Sequence, residues 1–188
     1  MEKKQANKKK FFRSKLVEIN TDEAKFVLKN FEYLSSALYF LYVKAPYFTT
    51  EDAHDGKKIK DFVLTEEALY SKYDYVGSRL IKTANKLSTE ISRLNTMISE
   101  KDSELGSVSY SFTKSNQKIY APIANNFLNV ILELDKLVML TDVLWFDGHI
   151  SDKERNSNLK YYKSFISSNF QNIITITSGL KDSIYGKK

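Results

Sequence analysis

The apolar positions of this chain fall into four long helical stripes and one short stretch that alternates. Val27, Phe31, Leu34, Leu38 and Leu41 recur at the four-three spacing of a helical face, behind Thr21 as an N-cap with Asp22 and Glu23 in the first turn. The helix they predict ends before Pro46. Tyr39, Phe40 and Tyr42 widen its apolar surface beyond one stripe, as a helix in a core or a subunit interface requires. Thr65, Glu66 and Glu67 open a second helix, striped by Leu69, Tyr73, Val76, Leu80, Leu87, Ile91, Leu94 and Ile98. Its length of about thirty residues, on the order of 45 Å, needs a partner along most of its run, from antiparallel neighbours or a dimer. Pro122 suits the first turn of a third helix, whose face carries Ile123, Phe127, Val130, Leu134, Leu137, Val138, Leu144 and Trp145 and which stops near Gly148. Ser151 and Glu154 form a capping box for a fourth, buried through Leu159, Tyr162, Ile166, Phe170, Ile173 and Ile174, ending near Gly179. Leu180 to Lys188 reads as a frayed tail.

Between the second and third stripes, Gly106 to Pro122 alternates like a strand. Ser107, Ser109, Ser111, Thr113 and Ser115 lie on one face, with Val108, Tyr110, Phe112, Lys114, Asn116 and Lys118 on the other. The pattern predicts a strand over 107–119 that buries its apolar face and exposes its hydroxyls. Phe11 to Ile19 is a short strand or irregular lead-in. The fold class is therefore mostly α, with about four helices and a short β-ribbon. Residues 1–20 form a basic arm and lead-in, 21–180 a single mainly helical domain, and 181–188 a flexible tail.

Composition narrows the chemistry. The chain has 188 residues, no Cys, 6 Gly, 2 Pro and 2 His, so disulfides and thiolate metal sites are excluded and a many-stranded fold lacks its turns. No GxGxxG, phosphate-binding GKS or GKT loop, GxSxG or HExxH occurs. Glu133, Asp135, Asp142 and Asp147 read as solvated charges or partners for Lys and Arg, and His54 between two loop carboxylates is a weak metal candidate. The expectation is no enzyme, no cofactor, no metal and no small-molecule substrate. Leu34 to Val43 is too short to span a bilayer and no signal peptide precedes it, which predicts a cytoplasmic protein without membrane contact.

The net charge of +6 is uneven: residues 122–188 hold 8 Lys/Arg against 7 Asp/Glu, and residues 1–121 hold 21 against 16. A polyanion is the partner such a bias fits. Lys72, Arg79, Lys86 and Arg93 repeat every seven residues along the second helix, as either a phosphate track or its solvated back. The order strand, helix, helix over 107–119, 122–147 and 152–178 follows ribbon-helix-helix logic. A lone strand must find a partner for its backbone, and the same strand of a second subunit supplies one, giving a homodimer and a ribbon for the major groove of double-stranded DNA. A hairpin with Phe12 to Ile19 would satisfy the same backbone within the chain.

On the ribbon reading Ser109, Ser111 and Thr113 let the backbone approach DNA. Asn116 and Gln117 pair with adenine edges, Lys114 and Lys118 contact guanine or phosphate, and Lys8, Lys9, Lys10, Arg13 and Lys15 contact phosphates. The alternative is a helical interaction or structural subunit that binds protein and no nucleic acid.

Leu64 to Leu180 resembles the AcaB-like regulators of conjugative plasmids and integrating conjugative elements. The resemblance lies in a long charged helix, a Ser-rich extended segment, and Tyr120-Ala-Pro122 leading into Asn125 to Val138, where Leu134-Asp-Lys-Leu-Val138 sets an acidic residue before a basic-Leu-Val segment. It implies a dimeric DNA-binding transcriptional regulator of conjugation genes with a ribbon-helix-helix-type element. The strand has hydroxyls where that family leads one to expect more arginine, so the resemblance does not identify the base-reading residues.

Overall fold

A computed structural model describes residues 12–49, 64–103 and 108–186. Strand β1 (Arg13–Ile19) leads into α1 (Asp22–Leu28) and α2 (Phe31–Tyr39), followed by a π turn over Phe40–Lys44 and a 3-10 turn over Ala45–Phe48. Helix α3 (Glu66–Glu100), strand β2 (Thr113–Ile119), α4 (Pro122–Phe146) and α5 (Asp152–Tyr185) complete the chain. The mostly helical fold with one two-stranded antiparallel sheet is the class the periodicity predicts.

Local chemistry sets most of the helix ends. The Thr21 and Thr65 hydroxyls accept from the backbone N–H of Ala24 and Ala68 at 3.4 and 3.2 Å. Ser151 and Glu154 complete their capping box. Gly148, at φ 75°, ends α4: its N–H reaches Trp145 O at 3.0 Å and that of His149 reaches Leu144 O at 2.8 Å. Asp102 takes the left-handed position after α3 at φ 53°. The first apolar stripe is divided: Asn30 N–H bonds the Val27 carbonyl three residues back, so α1 and α2 are separate segments. Val27, Phe31, Leu34, Leu38 and Leu41 are nevertheless all buried.

Two expectations fail at helix ends. Helix α5 continues to Tyr185 because Leu180 and Ile184 extend its buried face, and Tyr185 packs on Phe40 and Phe48 with ring centroids 6.1 and 5.4 Å away. Trp145 lies outside the core, 38% exposed, with its indole N–H bonded to Asp152 and the Arg155 guanidinium 4.8 Å from its ring. Helix α4 is the core of the molecule. It packs along α3 on one side and against α1, α2 and α5 on others, with Phe127 edge-on to Phe170 at 5.6 Å.

The sheet reveals an internal repeat. β1 and β2 pair antiparallel from Arg13↔Ile119 through Leu16↔Asn116 to Ile19↔Thr113. Adding 100 to each β1 number gives the β2 residue in the same structural position, so that Arg13↔Ile119 maps onto Thr113↔Ile19 and a local twofold axis passes through the Leu16–Asn116 pair. The two strands share one burial pattern, which continues into the helices: Ala24 and Ala124, Val27 and Phe127, Leu28 and Leu128 are all buried. Each half runs strand, helical segment, long helix, and the halves are interlocked. Helix α3 packs on α4 of the other half, as α5 packs on α1 and α2.

The expected strand over 107–119 is thus corrected in length and in partner. Ser107 lies outside the described residues; of the described 108–119 only Thr113–Ile119 enters the ladder, and the edge it pairs with is β1 of the same chain, the hairpin-like alternative. A second copy is not needed to satisfy this backbone.

Candidate nucleic-acid interface

Alternation divides the ribbon into two faces. Val17, Ile19, Gln117 and Ile119 turn inward and are buried under the helices. Ser14, Leu16 and Glu18 of β1 and Lys114, Asn116 and Lys118 of β2 turn outward and are exposed. The register sets them in three cross-strand pairs, Ser14↔Lys118, Leu16↔Asn116 and Glu18↔Lys114. Within the strand this reverses the expected faces: Thr113 and Ser115 lie on the core side and the lysines on the open side. The cause is distant in sequence, since Gln117 and Ile119 share a face with Ser115 and sit beside Val17 and Ile19 over a common core.

Gln117 is corrected as a reader: it is 9% exposed and its side-chain N–H donates to Ser115 Oγ at 2.8 Å. Ser109 and Ser111 are exposed, but lie before the ladder starts. Thr113 opens the strand, exposed beyond the edge of the core. Lys8, Lys9 and Lys10 lie outside the described residues, as does His54. Arg13 is exposed at the start of β1, and Lys15 donates to Asn125 Oδ1 on α4 at 2.9 Å. Phe12, Arg13, Lys15, Tyr120, Pro122 and Asn125 line a shallow groove of about 860 Å³ beside this end of the ribbon.

Carboxylates hold the outward lysines in place. Lys114 Nζ lies 3.3 Å from Glu18, and Lys118 Nζ lies 3.0 Å from Glu32 on α2. The hydrogen bond and charge of Glu32 raise the Lys118 pKa, and the Tyr120 hydroxyl donates to the same carboxylate at 3.0 Å. Each lysine also stands over an exposed ring, Lys114 at 5.5 Å from Phe112 and Lys118 at 5.9 Å from Phe12. Exposed ion pairs contribute little to stability, so these ammonium groups can exchange carboxylate for another anion at small cost.

Other charged positions are structural. Asp135, 4% exposed, accepts from the backbone N–H groups of Asn20 and Thr21 at 3.1 and 2.7 Å and from the Thr21 hydroxyl at 2.8 Å. It is buried rather than solvated, and no ion pair forms on it among the described residues. Asp142 does meet a cation, Arg155 at 2.6 Å, and also takes the Tyr110 hydroxyl at 2.8 Å. Burial and this carboxylate push the Tyr110 pKa up. Among the described residues no three His, Asp or Glu side chains gather as a metal site.

Of the heptad line of cations on α3, Arg79 and Lys86 meet side chains of α5. Arg79 stacks on Tyr75 at 5.1 Å and reaches Asn169 at 3.4 Å, Lys86 sits over Tyr161 and Phe165, and Arg93 pairs with Glu90 at 2.6 Å. Thr83, where the apolar stripe of α3 skips, accepts from buried Asn169 at 3.0 Å.

β1 is the part of the interface that sequence reasoning left undecided. Its signal was the alternation of Leu16, Glu18 and Asn20 with Val17 and Ile19.

Among solved structures, the chain is similar to that of selenomethionine-containing AcaB from uropathogenic E. coli, with a TM-score of 0.73 over 93% of this chain and 87% of that one, at 14% identity. That likeness shows a shared fold. No protein-family model matches the chain, and no curated protein matches it. No described helix is long and apolar enough to cross a membrane.

Proposed function

We propose that this protein binds double-stranded DNA sequence-specifically through the outward face of the β1–β2 ribbon and acts as a transcriptional regulator. The observation that carries the reading is the joint exposure of Lys114, Asn116 and Lys118 on a two-stranded antiparallel ribbon, an element of the width the major groove admits. The Asn116 amide can pair with the N6/N7 edge of adenine, and the two ammonium groups can take guanine O6/N7 or phosphate. Arg13 and Lys15 flank the Lys118 end and serve phosphates, as do Lys8, Lys9 and Lys10 just upstream in sequence. Ser109, Ser111 and Thr113 are small enough to let the approach to β2 run close to a DNA backbone. The resemblance to AcaB-like regulators and the fold shared with AcaB support the same class, and make conjugative transfer genes of a mobile element the proposed targets.

A gel-shift titration with promoter DNA from the protein's own genomic neighbourhood tests this. A retarded complex is expected, weakening with salt at a log–log slope of about −5 if about six phosphates are neutralised. Absence of any complex at low salt overturns the proposal.

A further inference from the structure

We infer that one copy of this chain reads a DNA site without dyad symmetry, its two strands addressing chemically different half-sites. The inference rests on the DNA-binding reading above and extends it to the form of the target. A ribbon built from two copies of one strand presents the same three outward residues twice, and a twofold reader selects a palindrome. Here the local twofold axis relates backbones alone. At three core-facing positions the repeat keeps its residue, with Ile19 and Ile119, Ala24 and Ala124, Leu28 and Leu128, although buried Val17 is matched by buried Gln117. At all three outward positions it does not: Ser14 stands where Lys114 does, Leu16 where Asn116 does, and Glu18 where Lys118 does.

These differences change what each strand can recognise. Asn116 offers an amide to adenine, whereas its cross-strand neighbour Leu16, 56% exposed, offers only apolar contact of the kind a thymine methyl takes. Lys114 and Lys118 favour guanine acceptors or phosphate, while Glu18 accepts from cytosine N4 and repels phosphate. The ends differ in charge as well. At one end Lys114 is matched by Glu18 at 3.3 Å. At the other, Lys118 meets Glu32 of α2 at 3.0 Å, and Arg13 and Lys15, on either side of its cross-strand partner Ser14, add two more cations to that end of the ribbon. The molecule therefore grips phosphates more strongly at the Lys118 end, which fixes its direction on the duplex. Because the chain supplies both strands, the reading element is complete in one copy.

The test is selection of bound duplexes from a randomised library with the full chain, followed by sedimentation of the complex on the enriched duplex. The expected result is a motif lacking dyad symmetry with one chain bound per site. Asn116→Ala should then relax discrimination at base pairs of one half-site only, by about tenfold. A second variant, Ser14→Lys with Leu16→Asn and Glu18→Lys, makes the outward faces equal at exposed positions, and should shift the selected motif toward a palindrome. A palindrome selected by the unaltered chain, or two chains on the minimal site, overturns the asymmetry while leaving DNA reading in place. Retention of the original motif by the equalised variant also overturns it, by moving recognition off the ribbon. No enrichment, with no complex at low salt, removes both readings.

Discussion

Asp135 on α4 and Ser35 on α2 are equivalent residues of the internal repeat, each accepting the backbone N–H that follows a ribbon strand. Asp135 takes Asn20 N–H at 3.1 Å and Ser35 takes Tyr120 N–H at 2.9 Å. Each helix thus holds the exit of the strand belonging to the other half. The strand-to-helix junctions, where backbone donors leave the ladder inside the protein, are satisfied by side chains from across the local twofold axis.

The two anchors differ in weight. Asp135→Ala strips acceptors from two backbone N–H groups and the buried Thr21 hydroxyl, and should cost about 3 kcal/mol or more. Ser35→Ala removes one bond and should cost about 1 kcal/mol. Urea denaturation of the two variants checks the order; equal losses would mean that Asp135 is not the main anchor.

Tyr110 ties the segment before β2 to α4 through Asp142. Its pKa is raised by burial, and further by that bond, so the folded state holds the phenolic proton more tightly than the unfolded chain. The linked stability is fully present below the ordinary tyrosine pKa of about 10 and is lost as pH rises beyond it. In an alkaline titration followed by phenolate absorbance, Tyr42, which burial pushes up to about 12, should ionise late and Tyr110 later still or only with unfolding, and Tyr110→Phe should remove the last component alone.

The end of α5 belongs to the core. Truncation after Gly179 removes buried Leu180 and Ile184 and the Tyr185 ring against Phe40 and Phe48. At ~1.5–3 kcal/mol for each buried aliphatic side chain, the loss should exceed about 3 kcal/mol. A thermal melt of the shortened chain unchanged from the full one would contradict this packing.

Ribbon substitutions separate recognition from stability. Lys118→Ala and Lys114→Ala should each weaken DNA binding and, where the ammonium contacts phosphate, reduce the salt slope by about 1. Gln117→Ala, on the buried face, should alter the denaturation midpoint and leave the salt slope unchanged. A binding defect from Gln117→Ala without loss of stability would mean that the opposite face reads the DNA.

Helices were legible in the sequence because their causes are local. The stripe from Val27 to Leu41, the caps at Thr21, Thr65 and Ser151, and Gly148 as terminator all act within a few residues of where they stand. The repeat was not legible, since between 13–28 and 113–128 only Ile19/Ile119, Ala24/Ala124 and Leu28/Leu128 are identical. What the halves share is burial, and many apolar side chains satisfy one buried position.

Alternation around Ser109 to Ile119 determined that the segment has two faces, one of which carries Lys114 and Lys118. It left open which face is covered and which edge completes the ladder. Any strand edge satisfies backbone N–H and C=O groups equally well, so pairing with β1 was decided by what brings residues 13 and 119 together: α1, α2 and α5 of one flank interlocked with α3 and α4 of the other. That packing buried Gln117 and left Lys114, Asn116 and Lys118 facing out, because a strand has only two sides and the core under Val17 and Ile19 had claimed one of them.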